Sequence, residues 1–244
     1  MTYCLAISTD DGIVFASDSR TNAGVDYIST YSKMHTFGVE QERQIVLLTA
    51  GSLATSQAVV SHLQRDIDKQ AATHLLNVEY LFEAAHYVGQ VSQQLQSEHG
   101  EALRSAGFDP GASFILGGQI AGQEPQTFLI YPQGNYISSG GDTPYLQIGE
   151  SKYGKPILDR LQMVSHVTLE DSARFALLSI DSTMRSNLTV GPPIDLLLYR
   201  RDSLGIEHRL RYKANSPYYA GLRKSWNDSL VAAFDRLPRF DWEQ

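Results

Sequence analysis

Cysteine is almost missing from this chain: Cys4 is the only one among 244 residues. A lone thiol cannot close an internal disulfide or build a cysteine-based zinc site, so a reducing compartment is expected. Long apolar runs are missing as well. No stretch approaches the roughly 20 residues a membrane helix needs, and the N-terminus lacks the basic-then-apolar order of a signal peptide. A soluble, cytoplasmic protein with no membrane partner is expected. Positive charge is in short supply too. With 20 basic against 27 acidic residues the formal net charge is −7, and no Lys/Arg cluster marks a surface for nucleic acid. Histidines are present without metal-ligand spacing: His62 and His74 lie too far apart for one helical face, and no His-Glu-x-x-His occurs. Neither Gly117-Gly118 nor Gly140-Gly141 is followed by the Lys-Ser/Thr of a phosphate loop. No metal or cofactor is therefore expected.

The chain also has no linker, internal repeat or low-complexity segment. At 42% hydrophobic composition it is long enough for one substantial core and short for two, so residues 1–244 are read as one domain. Tyr3 to Ser8 and Ile13 to Ser17 are strand-like runs about the turn Asp10-Asp11-Gly12. A polar loop from Thr21 to Ser32 follows, then a strand pair, Lys33 to Phe37 and Gln44 to Ala50. Ser52 N-caps a first helix, and a second runs from Val78 to Arg104 with Leu81, Ala84, Ala85, Val88, Val91 and Leu95 on one stripe. Strands return at Ser113 to Ile120, Gln126 to Tyr131 and Tyr136 to Ser139. Two helices, Ser151 to Leu161 and Thr168 to Ser186, precede a hairpin of Ile194 to Arg200 with Ile206 to Tyr212. A terminal helix spans Pro217 to Leu237. Helices arriving in pairs can cover two stacked sheets from outside, so the order predicts an α+β fold, a four-layer α-β-β-α sandwich of antiparallel sheets.

The N-terminal stretch carries the chemistry. If Met1 is removed, Thr2 holds a hydroxyl and a free α-amine on one residue, a nucleophile with its own base. An amine of pKa about 7.7 to 8.0 is partly free base near neutrality. A nearby lysine would lower it, and a carboxylate would hold that lysine. Folding the first hairpin about Asp10 and Asp11 sets Asp18 opposite Thr2, to within two residues. Asp18 and Lys33 are the candidates; a strand-end cap paired with Arg20 and an ordinary solvated lysine are the alternative readings. Gly51, just before a helix start, either offers its N–H to an oxyanion or simply satisfies a turn.

Taken together, Thr2, Asp10-Asp11-Gly12, Ala16-Ser17-Asp18-Ser19-Arg20-Thr21, Ser32-Lys33-Met34 and Leu48-Thr49-Ala50-Gly51 resemble the N-terminal half of a proteasome β-subunit. The late run Met184-Arg185-Ser186-Asn187-Leu188-Thr189-Val190-Gly191-Pro192-Pro193-Ile194-Asp195, with no propeptide before Thr2, is most similar to the bacterial ancestral β-subunit branch, Anbu. The resemblance implies an N-terminal nucleophile hydrolase that cleaves peptide or amide bonds through an acyl-enzyme on Thr2. In it Asp18 orients Lys33, Lys33 tunes the amine, Gly51 serves the oxyanion, and Thr21, Thr49 and Ser139 lie toward the substrate. It also implies self-association into a ring or open ring-like assembly. Two departures stand out. Gly141 falls where the family has an assisting serine, and in Ser186-Asn187 the amide of Asn187 replaces a carboxylate. The alternatives are therefore a non-proteolytic amidase or acyltransferase on the same fold, or a catalytically weak self-assembling scaffold.

Overall fold

The computed structural model describes residues 2–22, 28–164 and 166–243. The first hairpin is β1 (Tyr3–Thr9) with β2 (Gly12–Asp18). A short pair follows, β3 (Arg20–Asn22) with β4 (Ile28–Thr30), then β5 (Met34–Val39), β6 (Arg43–Gly51) and the helices α1 (Leu53–Asp68) and α2 (Leu81–Ser105). Next come β7 (Ala112–Ile120), β8 (Gln126–Ile130), β9 (Tyr136–Ser138) and β10 (Tyr145–Gly149). The chain closes with α3 (Lys155–Leu158), α4 (Leu169–Ser186), β11 (Ile194–Arg200), β12 (His208–Tyr212) and α5 (Pro217–Phe234).

Two five-stranded antiparallel sheets stack, one in the order β10-β1-β2-β11-β12 and the other β5-β6-β7-β8-β9. Strand alternation sorts their side chains into three apolar layers. Tyr3, Leu5, Ile7, Val14 and Ala16 pack under α4, whose Ala173, Ala176, Leu177 and Ile180 face them. Cys4, Ala6, Ile13 and Phe15 meet Val46, Leu48 and Ile115 between the sheets. Ile45, Leu47 and Phe114 pack under α1 and α2. The central strands are apolar on both faces because each face has a layer over it. Each large aliphatic side chain so buried contributes about 1.5–3 kcal/mol. The predicted four-layer α-β-β-α sandwich is the observed architecture.

Four local expectations change. The Thr21 to Ser32 loop holds the β3–β4 pair, with Thr21 opposite Ser29; residues 23–27 of that loop lie outside the described residues, as does Met1. Strand β10 was not expected, and it pairs with β1 along Tyr3–Ile7. The helix predicted from Ser151 to Leu161 is a single turn, α3, continued by a 3-10 turn at Asp159–Met163; Pro156, tolerated in a first turn but not in a helix interior, fits the late start. The hairpin register settles one residue from the expected centre, inside the two-residue window. Cys4 pairs with Ser17 and Thr9 with Gly12, so Asp18 lies opposite Tyr3 and not Thr2.

Candidate active site

The polar cluster forms where the open end of the β1–β2 hairpin meets the start of β5. Tyr3 anchors it: its ring is buried, and its hydroxyl lies 2.7 Å from Ser179 Oγ on α4. Its backbone N–H donates to Asp18 Oδ1 at 3.1 Å. The same oxygen accepts Lys33 Nζ at 2.6 Å, so through one carboxylate atom the ammonium reaches the peptide link joining residues 2 and 3. Asp18 thus holds Lys33 near the chain start, by a main-chain contact to Tyr3 and not by a pair of opposed side chains.

Asp18 Oδ2 accepts two more donors, the N–H groups of Arg20 at 3.2 Å and Gly191 at 3.1 Å. Burial pushes the Asp18 carboxyl up from the usual carboxylate range, and the Lys33 ammonium together with the backbone donors pulls it back. Four converging donors are what an ionised carboxylate satisfies. Lys33 is only 4% exposed and also donates to the Arg20 carbonyl at 2.7 Å. Neither side chain is solvated, and Asp18 also caps the end of β2 by accepting the Arg20 N–H.

Gly51 ends β6 at φ +97°, where a Cβ would run into the Gly111 carbonyl oxygen. Thr49 N–H donates to the Lys33 carbonyl at 3.0 Å, and N–H groups two apart on a strand point the same way. The Gly51 N–H therefore points to the Lys33 side, where β5 has run out. Ser52 caps α1, its hydroxyl accepting the Thr55 N–H at 3.3 Å. Thr49 itself is buried, in alternation with Leu47 on the face turned to α1 and α2, and its carbonyl accepts the Cys4 thiol at 3.5 Å. Burial pushes that thiol far up, which makes Cys4 an inert core residue. Thr21, half-buried in β3, follows the residue whose carbonyl takes Lys33.

Two predicted residues fall elsewhere. Ser139 bonds to Thr127 Oγ1 at 2.8 Å and lies 3.4 Å from Ser8 Oγ, at the turn end of the hairpin. Six residues of extended strand separate Ser8 from Thr2, roughly 20 Å. Gly141 is exposed in the Gly140–Thr143 bridge, and the Pro144 carbonyl that follows accepts the Ser8 N–H at 2.7 Å, so Gly141 belongs to that far end as well. The cause is β10, which carries the chain the length of β1 before it reaches Thr2. What arrives there is Gly149-Glu150. A Cβ on Gly149 (φ +84°) would collide with the Thr2 carbonyl oxygen, which accepts the Glu150 N–H at 2.7 Å. Glu150 is buried, and its Oε2 accepts Asn187 Nδ2 at 3.1 Å. Asn187 Oδ1 in turn accepts the Thr189 N–H at 3.0 Å, while Ser186, on the last turn of α4, is exposed. Sequence reasoning missed Glu150 and the Gly191 N–H; the alternating run Tyr145-Leu146-Gln147-Ile148 before Gly149 was the available signal for the first.

Among the described residues no group of three His, Cys, Asp or Glu could hold a metal ion, and no helix is long and apolar enough to cross a membrane. The family model of the proteasome subunit matches residues 2–197. The chain belongs to the proteasome subunit family. Within this family it stands with Anbu. An Anbu (ancestral beta-subunit) structure from Yersinia bercovieri is 44% identical, covers 98% of this chain and 99% of its own, and superposes with a TM-score of 0.91. The Anbu (Gly-1) mutant from Hyphomicrobium sp. strain MC1 is 43% identical over 99% of this chain and 100% of its own, with a TM-score of 0.91. A helical assembly of the Anbu complex from Pseudomonas aeruginosa contains a chain 47% identical over 98% of both, with a TM-score of 0.90. No curated protein matches the chain.

Proposed function

We propose that the protein is an N-terminal threonine hydrolase that cleaves peptide or amide bonds after loss of Met1. The observation that supports this best is the buried Lys33 ammonium, 2.6 Å from the carboxylate oxygen that also accepts the amide of Tyr3. A buried ion pair is costly to assemble and is a poor way to gain stability. Placed beside residue 2 it has a chemical use: its positive charge lowers the proton affinity of a nearby amine and hydroxyl.

In this reading Thr2 Oγ attacks the substrate carbonyl carbon and its proton passes to the Thr2 α-amine. The oxyanion meets the Gly51 N–H, one preorganised donor of this kind being worth about 2.7–4 kcal/mol. As the C–N bond breaks, the ammonium returns the proton to the leaving nitrogen. Water then hydrolyses the ester and restores Thr2. The edge of β3 at Thr21 suits an extended peptide, which would pair along it, and Thr49 stands behind the pocket wall. Thr2→Ala should abolish hydrolysis of a peptide or small-amide panel, and intact mass should show loss of one methionine from the native protein. A Thr2→Ala protein that hydrolyses at the native rate would refute the assignment, and the panel separates a peptidase from an amidase.

We also infer self-assembly. Past its first turns α5 is largely exposed, and Leu230, Val231, Phe234, Leu237, Phe240 and Trp242 leave apolar surface uncovered. The related Pseudomonas aeruginosa protein is found in a helical assembly. Light scattering should give a mass of several chains, and a monomer at micromolar concentration would contradict this.

A further inference from the structure

Thr2 and Glu150 form the next pair after Tyr3 and Gly149 in the β1–β10 ladder. The Glu150 N–H on the Thr2 carbonyl, at 2.7 Å, marks it as a hydrogen-bonded pair. In such a pair the Cα atoms are about 5.5 Å apart, both residues turn their nitrogens toward the partner's carbonyl, and both side chains leave on the same face. On β10 that face carries Leu146 and Ile148, and on β1 Cys4 and Ala6, all in the core between the sheets. Thr2 and Glu150 thus point side by side toward the cleft that Lys33 enters from the other sheet.

The Glu150 carboxylate has one described partner, the neutral amide of Asn187 at 3.1 Å. It is 8% exposed, and no cation stands among its described hydrogen-bond partners. The charged groups on the neighbouring elements are engaged elsewhere: Lys33 with Asp18, Asp195 of β11 with Arg211 at 3.0 Å, and Arg20 with the Leu188 carbonyl at 2.7 Å. Lys152, two residues on, is exposed. A buried carboxylate without a cation is expensive, and the one positive group its ladder partner can supply is the ammonium of a processed residue 2.

We propose that Glu150 is a positioning residue that holds the α-ammonium of Thr2, supplying, together with Asn187, the assistance that the family resemblance would have set at Gly141. The inference rests on Thr2 being the mature N-terminus, as in the function proposed above. Glu150 and Lys33 then act on the amine in opposite senses: the carboxylate favours the ammonium and the lysine favours the free base. The nucleophile is held in place at the cost of a weaker base at neutral pH, and turnover rises as pH increases.

The test is the pH dependence of reductive dimethylation at the Thr2 α-amine, read as the mass of the N-terminal peptide from the processed, assembled protein. This reports the free-base fraction whether or not any substrate is cleaved. Glu150→Gln should lower the midpoint by about one pH unit, the effect of one charge removed at roughly 5 Å in a partly screened site. Glu150→Asp should recover part of that shift, and Glu150→Ser serves in place of the amide variant if that one does not fold. A midpoint unchanged in the charge-removed protein, or a wild-type chain that keeps Met1, overturns the proposal. A shifted midpoint in a protein that never acylates Thr2 leaves the positioning role intact and sinks the hydrolase. Acylation at Thr2 with an unshifted midpoint does the reverse.

Discussion

The two ends of the β1–β2 hairpin hold different kinds of polar cluster. At the turn end the part-buried Ser8 and Ser139 and the buried Thr127 share hydroxyl hydrogen bonds of 2.8 to 3.4 Å. At the open end Asp18, Lys33, Glu150 and Asn187 are all buried, three of them ionisable. Neutral hydroxyls satisfy one another cheaply, and losing one costs about 0.5–1.5 kcal/mol. Buried charges that must be matched donor by donor are justified only where they act on something. In the proposed function the same pair of strands joins a structural end to a chemical one, and the contrast can be broken or sharpened by substitution.

The largest effect is expected from Asp18→Asn. It strands the Lys33 ammonium in a dry site and should cost about 3–5 kcal/mol, seen as a lower urea midpoint, with loss of any reaction at Thr2. Lys33→Met should be less damaging to stability, because three backbone N–H groups still serve the Asp18 carboxylate. It should be as damaging to reaction at Thr2, which a parallel rate and denaturation series would check. Asn187→Asp comes next: two carboxylates at hydrogen-bond distance must share a proton, so stability should fall as pH rises from 5 to 8. The sign follows from a carboxyl whose folded-state pKa is raised. Its contribution is complete below the unfolded value and is lost as pH climbs through the folded one. Moving the charge across the bond with Glu150→Gln plus Asn187→Asp should remove that pH dependence. At the other end Ser139→Ala should cost about 1 kcal/mol or less and leave reaction at Thr2 at the native rate. A Ser139→Ala protein with the Thr2 reaction impaired tenfold would erase the contrast between the ends.

Layer order and most strands were legible because apolar alternation and helix stripes report directly on which faces are covered. The register slip has a simple origin. The turn is Asp10-Asp11 with Thr9 and Gly12 as its flanking pair, so partner numbers sum to 21, whereas a centre placed on Asp10 moves every partner by one. Strand β10 escaped notice because it is five residues long and follows the turn-rich Gly140 to Pro144, a stretch that reads as loop. That omission hid the approach of Glu150 to Thr2, since only long-range pairing shows that the chain returns along β1 before it reaches residue 2. Asp18, Lys33 and Gly51 were legible through local spacing and family likeness. The four-donor cage of Asp18 was not, because Gly191 lies 173 residues away.

The most direct test of the central claim is peptide mapping after treatment with a peptidyl epoxyketone, which bonds to a hydroxyl and an amine on the same residue. The account predicts one adduct per chain, on a mature N-terminal Thr2, lost in Lys33→Ala and Thr2→Ala. A wild-type protein that stays unlabelled, or labels at any other residue, would contradict it.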